Sequence, residues 1–300
     1  MELIRKGKVK EVYAHGPDEL LFRFTDQISV FDKIIPTLVP KKGETLNRTS
    51  AFWFKEVEKL GLRTHFKSLR GPNEAIVKRV RVIPDYDVIA KTKGDFLIPL
   101  EVICRHYLAG SMVDRLKSGE VKPETLGFPA GSVPRKGAKL PKPFIEFTTK
   151  LEKVDRDLTE AEAQKISGLS DRELEALKDA VLRIDARIQE VAGAHGLIHV
   201  DGKKEFAFDA DRRLMLVDTF GTPDEDRWWD AKAYEAGELV ELSKEHVRAH
   251  YRATGYHEKL MAARKAKQPE PDIPALPAHV TREVTDLYVG LYERITGQKF

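Results

Sequence analysis

Asp201, Lys203 and Glu205 stand two residues apart in the run Leu-Ile-His-Val-Asp-Gly-Lys-Lys-Glu-Phe-Ala-Phe. That spacing puts all three on one face of a β-strand, with Phe206 and Phe208 on the other. A turn at Ala210-Asp211 then folds residues 212–218 back antiparallel. With a two-residue loop, Asp209 faces Arg212 and Lys203 faces Asp218, which leaves Glu205 diagonal to Asp218 at roughly 7–8 Å. Two carboxylates and an ammonium on one face suit a hard cation holding phosphates, because Mg²⁺ takes a few carboxylates plus phosphate oxygens and lysine adds a point charge. A cross-strand ion pair on a solvated sheet is the plainer alternative. The immediate sequel, Thr222-Pro223-Asp224 with Arg227, favours the site.

Three further groups carry chemistry. Arg5-Lys6-Gly7-Lys8-Val9-Lys10 sets lysines around a glycine at the first hairpin. Glycine lets backbone N–H groups approach phosphates and the lysines neutralise them; a basic edge that blocks aggregation accounts for the same residues. Neither G-x-x-x-x-G-K-[ST] nor G-x-G-x-x-G occurs. Glu101-Val102-Ile103-Cys104-Arg105 alternates, which buries Val102 and Cys104 and turns Arg105 the other way. Gly110-Ser111 then opens a helix, and a serine there with a nearby arginine makes an anion site or a simple N-cap. The histidine pairs 195/199 and 246/250 do not suggest a metal: the first straddles Gly196 and the second lacks the H-E-x-x-H glutamate. Cys104 is the only cysteine, so there is neither an internal disulfide nor a cysteine zinc cage.

The elements that must position these groups are legible in outline. Three hundred residues suffice for a sizeable core and two subdomains. Strands are expected over most of the first eighty residues, with a turn at His15-Gly16-Pro17-Asp18, and again at 75–82 and 87–90. Helices are expected at 50–60, 111–116, after the capping box Ser170–Glu173, from Arg227 to about Lys265, and at 281–295. Residues 118–144, rich in Pro and Gly, read as a long ordered loop. No apolar run approaches the roughly 20 residues that span a bilayer, and no signal peptide is read at the start. A cytoplasmic protein with no membrane partner is expected. The net charge of +3 is a mild excess, not the basic stripe of a nucleic-acid binder, and it fits an anionic small molecule. Charged residues at 33%, with asparagine only at 47 and 73, hint at a thermophilic source.

In order along the chain, these segments resemble the phosphoribosylaminoimidazole-succinocarboxamide synthase (SAICAR synthetase) family, from about residue 5 to the end. Gly7-Lys8-Val9-Lys10-Glu11-Val12-Tyr13 is similar to the family's G-K-V-R-D-V-Y, and Asp26-Gln27-Ile28-Ser29-Val30-Phe31-Asp32 to D-R-I-S-A-F-D. Lys42-Gly43, Glu101 and Arg105 with Gly110-Ser111, Thr148-Thr149-Lys150, Asp201-x-Lys203-x-Glu205-Phe206, Thr222-Pro223-Asp224 with Arg227-Trp228, and the closing 292–297 also fit. The chain departs from the pattern at Thr219, where the family has a second acid, and at Glu225-Asp226, where it has two serines. Gln27 replaces arginine and Ala207 replaces glycine.

The resemblance implies an α/β (α+β) fold: a kinase-like nucleotide-binding subdomain with an antiparallel sheet over 1–90, a central substrate and metal subdomain over 91–235, and C-terminal helices over 236–300. It implies ligation of L-aspartate to carboxyaminoimidazole ribotide with ATP and Mg²⁺, by a monomer or small homo-oligomer. Gly7, Lys8, Lys10 and Lys78 are expected at ATP, and Glu205 and Asp218 at Mg²⁺, with Lys203 completing the catalytic set. Ser29, Asp32, Lys42, Arg105, Ser111, Lys150, Asp201, Asp224 and Arg227 are expected at the substrates, Lys150 on the loop that receives aspartate. A kinase-like phosphotransferase and a nucleotide-binding homologue without ligase activity are the alternatives.

Overall fold

A computed structural model describes residues 1–152 and 154–300. Its first sheet is antiparallel, in the order Leu3–Lys6, Lys10–Ala14, Glu19–Phe24, Glu74–Lys78, Phe66–Gly71. Val12, Leu20, Phe22, Phe24 and Val77 of this sheet share a core with Val247 and Tyr251 of the helix Glu245–Ala253 and with Val280, Val284 and Tyr288 of the last helix, Ala278–Thr296. The two ends of the chain therefore build one core.

The second sheet runs Asp157–Leu158, Lys139–Thr149, Phe96–Tyr107, Leu197–Phe208, Leu214–Val217, Arg63–Thr64, and Arg227–Asp230 also pairs with Leu197–Phe208. Its two central strands are twelve residues each and antiparallel, with Asp201 opposite Arg105, Lys203 opposite Ile103 and Glu205 opposite Glu101. Period-2 alternation sorts them cleanly. Phe96, Ile98, Leu100, Val102, Cys104, Phe206 and Phe208 belong to the core that Leu174, Leu177, Val181, Ile184 and Ile188 of the helix Asp171–Ala194 complete. Glu101, Ile103, Arg105, Asp201, Lys203 and Glu205 are left on the opposite face. The long helix starts as expected, with the Ser170 side chain accepting from the Glu173 N–H and the Glu173 carboxylate accepting from the Ser170 N–H.

Several expected boundaries move. The helix expected at 50–60 spans Lys42–Lys59. Residues 86–89 form a short helix, not a strand, because the Asp85 carboxylate accepts the Asp87 and Val88 N–H groups and caps it. The stretch 118–144 is not one loop: it holds the 3₁₀ turn Pro123–Leu126, and the strand Lys139–Thr149 begins within it. Pro141 and Pro143 fall where the pairing of that strand slips, a place where a missing N–H costs no ladder bond. Val121, Leu126 and Leu140 form a small core of their own with Leu108 and Met112.

One residue joins the sheets. His65 lies between Arg63–Thr64 in the large sheet and Phe66–Gly71 in the first. Its N–H donates to the Leu216 carbonyl at 3.0 Å, and its carbonyl accepts from the Lys78 N–H at 2.6 Å. The ring is buried against Phe22 and Phe54, with Nε2 unpartnered. Burial pushes its pKa down to about 3. An imidazole that stays neutral when folded contributes stability in full above its unfolded pKa near 6.5, and loses it as pH falls toward 3, at up to roughly 1.4 kcal/mol per pH unit. His65→Phe should therefore show a shallower loss of unfolding free energy between pH 6.5 and 4 in urea titrations; parallel curves for the two proteins would refute this.

Candidate active site

Lys203 is the centre of a mixed-charge cluster. Its ammonium lies 2.8 Å from Glu101, 3.2 Å from Glu225 and 3.7 Å from Glu205. Lys150, at the end of the neighbouring strand, lies 2.5 Å from Glu205 and 3.9 Å from Glu101. Lys10 reaches across from the first sheet to Asp218. The cluster thus closes the gap between the two sheets. Burial raises the Glu205 carboxyl, and the nearby Asp218 charge adds to this, against the pull of Lys150. Burial also disfavours charge at Asp218, but Lys10, Lys150 and the Thr219 N–H outweigh it and hold that carboxyl far below the usual range. Two acids pushed in opposite directions within one cleft make it a candidate functional site.

Asp218 arrives there by a route that alternation does not give. The hairpin loop has three residues rather than two: Asp209 pairs with Arg213, and its carboxylate accepts the Asp211 and Arg213 N–H groups. Arg212 takes the left-handed conformation at φ 58° that such a loop needs. The extra residue slides the register, so Glu205 faces Val217. A regular strand would then turn Asp218 to the far face. The strand instead ends at Val217, and Asp218 sits at φ 59°, which brings its carboxylate back to the cleft. Thr219, which replaces the family's second acid, donates its N–H to Asp218 Oδ1 at 2.7 Å.

Beyond Lys203 the same face forms a polar cavity of about 250 Å³, lined by Arg105, Ser111, Asp201, Lys203, Glu225, Arg227 and Arg248, among others. Asp201 is gripped by Arg227 at 2.7 Å and Arg105 at 3.0 Å. Burial opposes its charge, yet the two guanidiniums keep it ionised below the usual carboxylate range. Arg105 also donates to Glu146, so its fork is fully engaged by acids. Arg227 packs over Gly110, where any Cβ would run into its guanidinium. Asp224 borders the cavity from beneath, bound by Lys42 at 2.8 Å and by the Tyr288 hydroxyl at 2.5 Å. Lys42 has no exposed surface and is paired with Asp224.

A second buried layer holds the loop 218–227 in place. Asp226, its side chain fully buried, accepts the Gly221 N–H at 3.0 Å and meets His199 Nε2 at 2.6 Å. Gly202 must be glycine: a Cβ would overlap Asp226 and lie 2.7 Å from His199 Nε2. Further under the sheet, fully buried Lys204 pairs with fully buried Asp185, which also meets His106 Nε2 at 3.1 Å. Cys104 lies beside this group, and burial pushes its thiol far above the usual range. Lysine supplies the positive charge that Asp185 needs.

The other expected residues divide. Gly7 forms the tight turn at the start of the second strand, its N–H donating to the Lys10 carbonyl at 2.8 Å. Lys8 leaves Lys10 and pairs with exposed Asp32 at 2.5 Å. Ser29 is buried in the small hairpin Gln27–Val30 with Lys33–Leu38, not in the cavity. Lys78 faces Glu19 and so lies on the opposite side of the first sheet from Lys10, which faces Phe24; strand alternation separates them. Lys150, just past the strand Lys139–Thr149, stands in the carboxylate cluster beside Glu205 and Glu101. Sequence reasoning omitted Glu101 from the site although it is two residues from Ile103 and four from Arg105 on the same face. It also missed Arg248 and Ser243, which lie on or beside a helix whose charge pattern gives no sign of a cavity.

The SAICAR synthetase family model matches residues 3–263. The phosphoribosylaminoimidazole-succinocarboxamide synthase of Thermoplasma acidophilum is 51% identical over 303 residues, covering all of both chains. The chain belongs to the SAICAR synthetase family. It is a ligase that uses ATP to form a C–N bond between L-aspartate and carboxyaminoimidazole ribotide in purine biosynthesis. Among solved structures, a SAICAR synthetase in complex with ADP superimposes with a TM-score of 0.70 at 26% identity, covering 99% of this chain and 98% of that one. The Saccharomyces cerevisiae SAICAR synthase complexed with SAICAR gives 0.78 at 24% identity, covering 99% and 95%, and shows the shared fold. Among the described residues, no helix is long and apolar enough to cross a membrane.

Gly202→Ala should keep the fold but displace the 221–227 loop, and ligase turnover should fall by an order of magnitude or more. A steady-state assay beside a near-UV circular dichroism spectrum checks this, and full activity would show that the loop tolerates the shift.

Proposed function

We propose that the carboxylate–lysine cluster is the phosphoryl-transfer centre of this SAICAR synthetase and that the arginine cavity takes the ribotide 5′-phosphate. One observation carries the reading: Lys203 belongs to both, so a substrate anchored by its phosphate at Arg227, Arg248 and Ser111 presents its other end to the cluster. Asp201, fixed by two arginines, faces the space between and suits the imidazole or ribose. Lys10 and Lys150 suit ATP phosphates. Leu97, Ala207, Met215 and Val217 form an apolar patch on the same sheet face, a fitting neighbour for a base.

Glu205, Asp218 and Glu101 offer the hard oxygen donors that Mg²⁺ prefers, and their present partners are lysines that a phosphate could engage in their place. Mg²⁺, when held there, would offset phosphate charge. The rest of the task belongs to the chain. An amine cannot displace oxide from a carboxylate, so the ribotide carboxylate must first accept the γ-phosphoryl group. Lys203 holds that carboxylate in line, and the lysines draw off the charge that builds on the phosphoryl oxygens. The aspartate amine then attacks the acyl carbon and phosphate leaves.

Lys203→Ala and Asp218→Ala should each lower turnover by about 10²–10³ with the fold intact. Arg227→Ala should chiefly raise the ribotide KM. ADP release should require both ribotide and aspartate; release stoichiometric with a phosphorylated product and indifferent to aspartate would mark a kinase-like enzyme instead. Near-normal rates in both of the first two variants would remove them from the centre.

A further inference from the structure

Aspartate reaches the enzyme as an ammonium, and an ammonium is no nucleophile. A group beside the acyl carbon must take its proton. Four acidic residues border the cavity next to Lys203: Asp201, Asp224, Glu225 and Asp226. Three are committed. The Asp201 side chain is 3% exposed and held by Arg105 and Arg227. That of Asp224 is 2% exposed and held by Lys42 and Tyr288. That of Asp226 is 0% exposed and held by His199 and the Gly221 N–H. Glu225 differs: its side chain is 24% exposed, and among the described residues its one ion-pair partner is the Lys203 ammonium at 3.2 Å, which Glu101 also holds at 2.8 Å.

Resting on the acyl-phosphate reading above, we propose that Glu225 is a catalytic residue, the general base that deprotonates the aspartate amine. Its carboxylate stands one contact from the lysine that holds the reacting carboxylate, on the open side of the cavity, and an incoming ammonium is the natural second partner for it. The steps balance. Of the two protons the ammonium loses, Glu225 takes the first and the departing phosphate takes the second. The nitrogen bonds to the acyl carbon, and the C–O bond to phosphate breaks with its electron pair on oxygen. Glu225 then returns its proton to water.

The test replaces aspartate with hydroxylamine, a small amine that is uncharged at neutral pH and needs no base. Glu225→Gln should lower aspartate-dependent kcat by about 10²–10⁴ while leaving hydroxylamine-dependent ADP release and hydroxamate formation within about threefold of the parent. Equal losses with both nucleophiles would overturn the proposal and leave Glu225 a partner of Lys203 only. Unchanged aspartate turnover would overturn it as well. Failure of the parent enzyme to give any hydroxamate from ribotide, ATP and hydroxylamine would refute the acyl-phosphate reading itself, an outcome distinct from a failure at Glu225.

Discussion

The site rests on the pairing of two twelve-residue strands, Phe96–Tyr107 and Leu197–Phe208. Their register sets Arg105 beside Asp201, Ile103 beside Lys203 and Glu101 beside Glu205. A one-residue slip of Leu197–Phe208 would send Asp201, Lys203 and Glu205 into the helix-packed core and bring Phe206 and Phe208 to the opposite face. The apolar face therefore fixes the polar one. The hydrophobic contacts between Phe206, Phe208, Val102 and the long helix are what hold acids and bases in array, more than any attraction among the charges themselves.

Those charges are numerous and mostly paired. Burying an ion pair gains little net stability, because desolvation offsets most of the Coulomb attraction, while leaving one partner alone is costly. Lys204–Asp185, Lys42–Asp224 and the Arg105–Asp201–Arg227 chain are best understood as fixing position. Each anchors a segment that borders the cavity. Asp226 does the same for the 218–227 loop through His199, which explains how an acid can replace the family's serine without crowding a phosphate: its side chain points inward. Glu225, its neighbour, points outward and changes the chemistry of the cavity instead.

Much of this was legible in the residues. The shared face of Asp201, Lys203 and Glu205, the inward turn of Val102 and Cys104, the helix beginning at Ser111 and the capping box at Ser170 all follow from local periodicity and appear as expected. What local pattern cannot supply is loop length and long-range packing. The hairpin at 209–213 gained one residue because the Asp209 carboxylate collects two backbone N–H groups, an interaction between residues that look like any polar turn. Lys78 is expected at ATP with Lys10, whereas the strand pairing sets the two on opposite sides of the sheet. Arg248 entered the cavity from a helix far along the chain. Family motifs named Lys42 and Ser29 without showing that both are enclosed.

The backbone at Asp218 has a consequence for what the position can become. Left-handed φ values are open to aspartate and asparagine and uphill by roughly 1–2 kcal/mol for most other side chains. Glutamate would meet that penalty and also overshoot the cleft by a methylene. Asparagine would keep the bend and lose the charge. Conformation thus favours aspartate over glutamate here, before any ligand makes its own demand, as the left-handed backbone at φ 59° is one aspartate takes more readily.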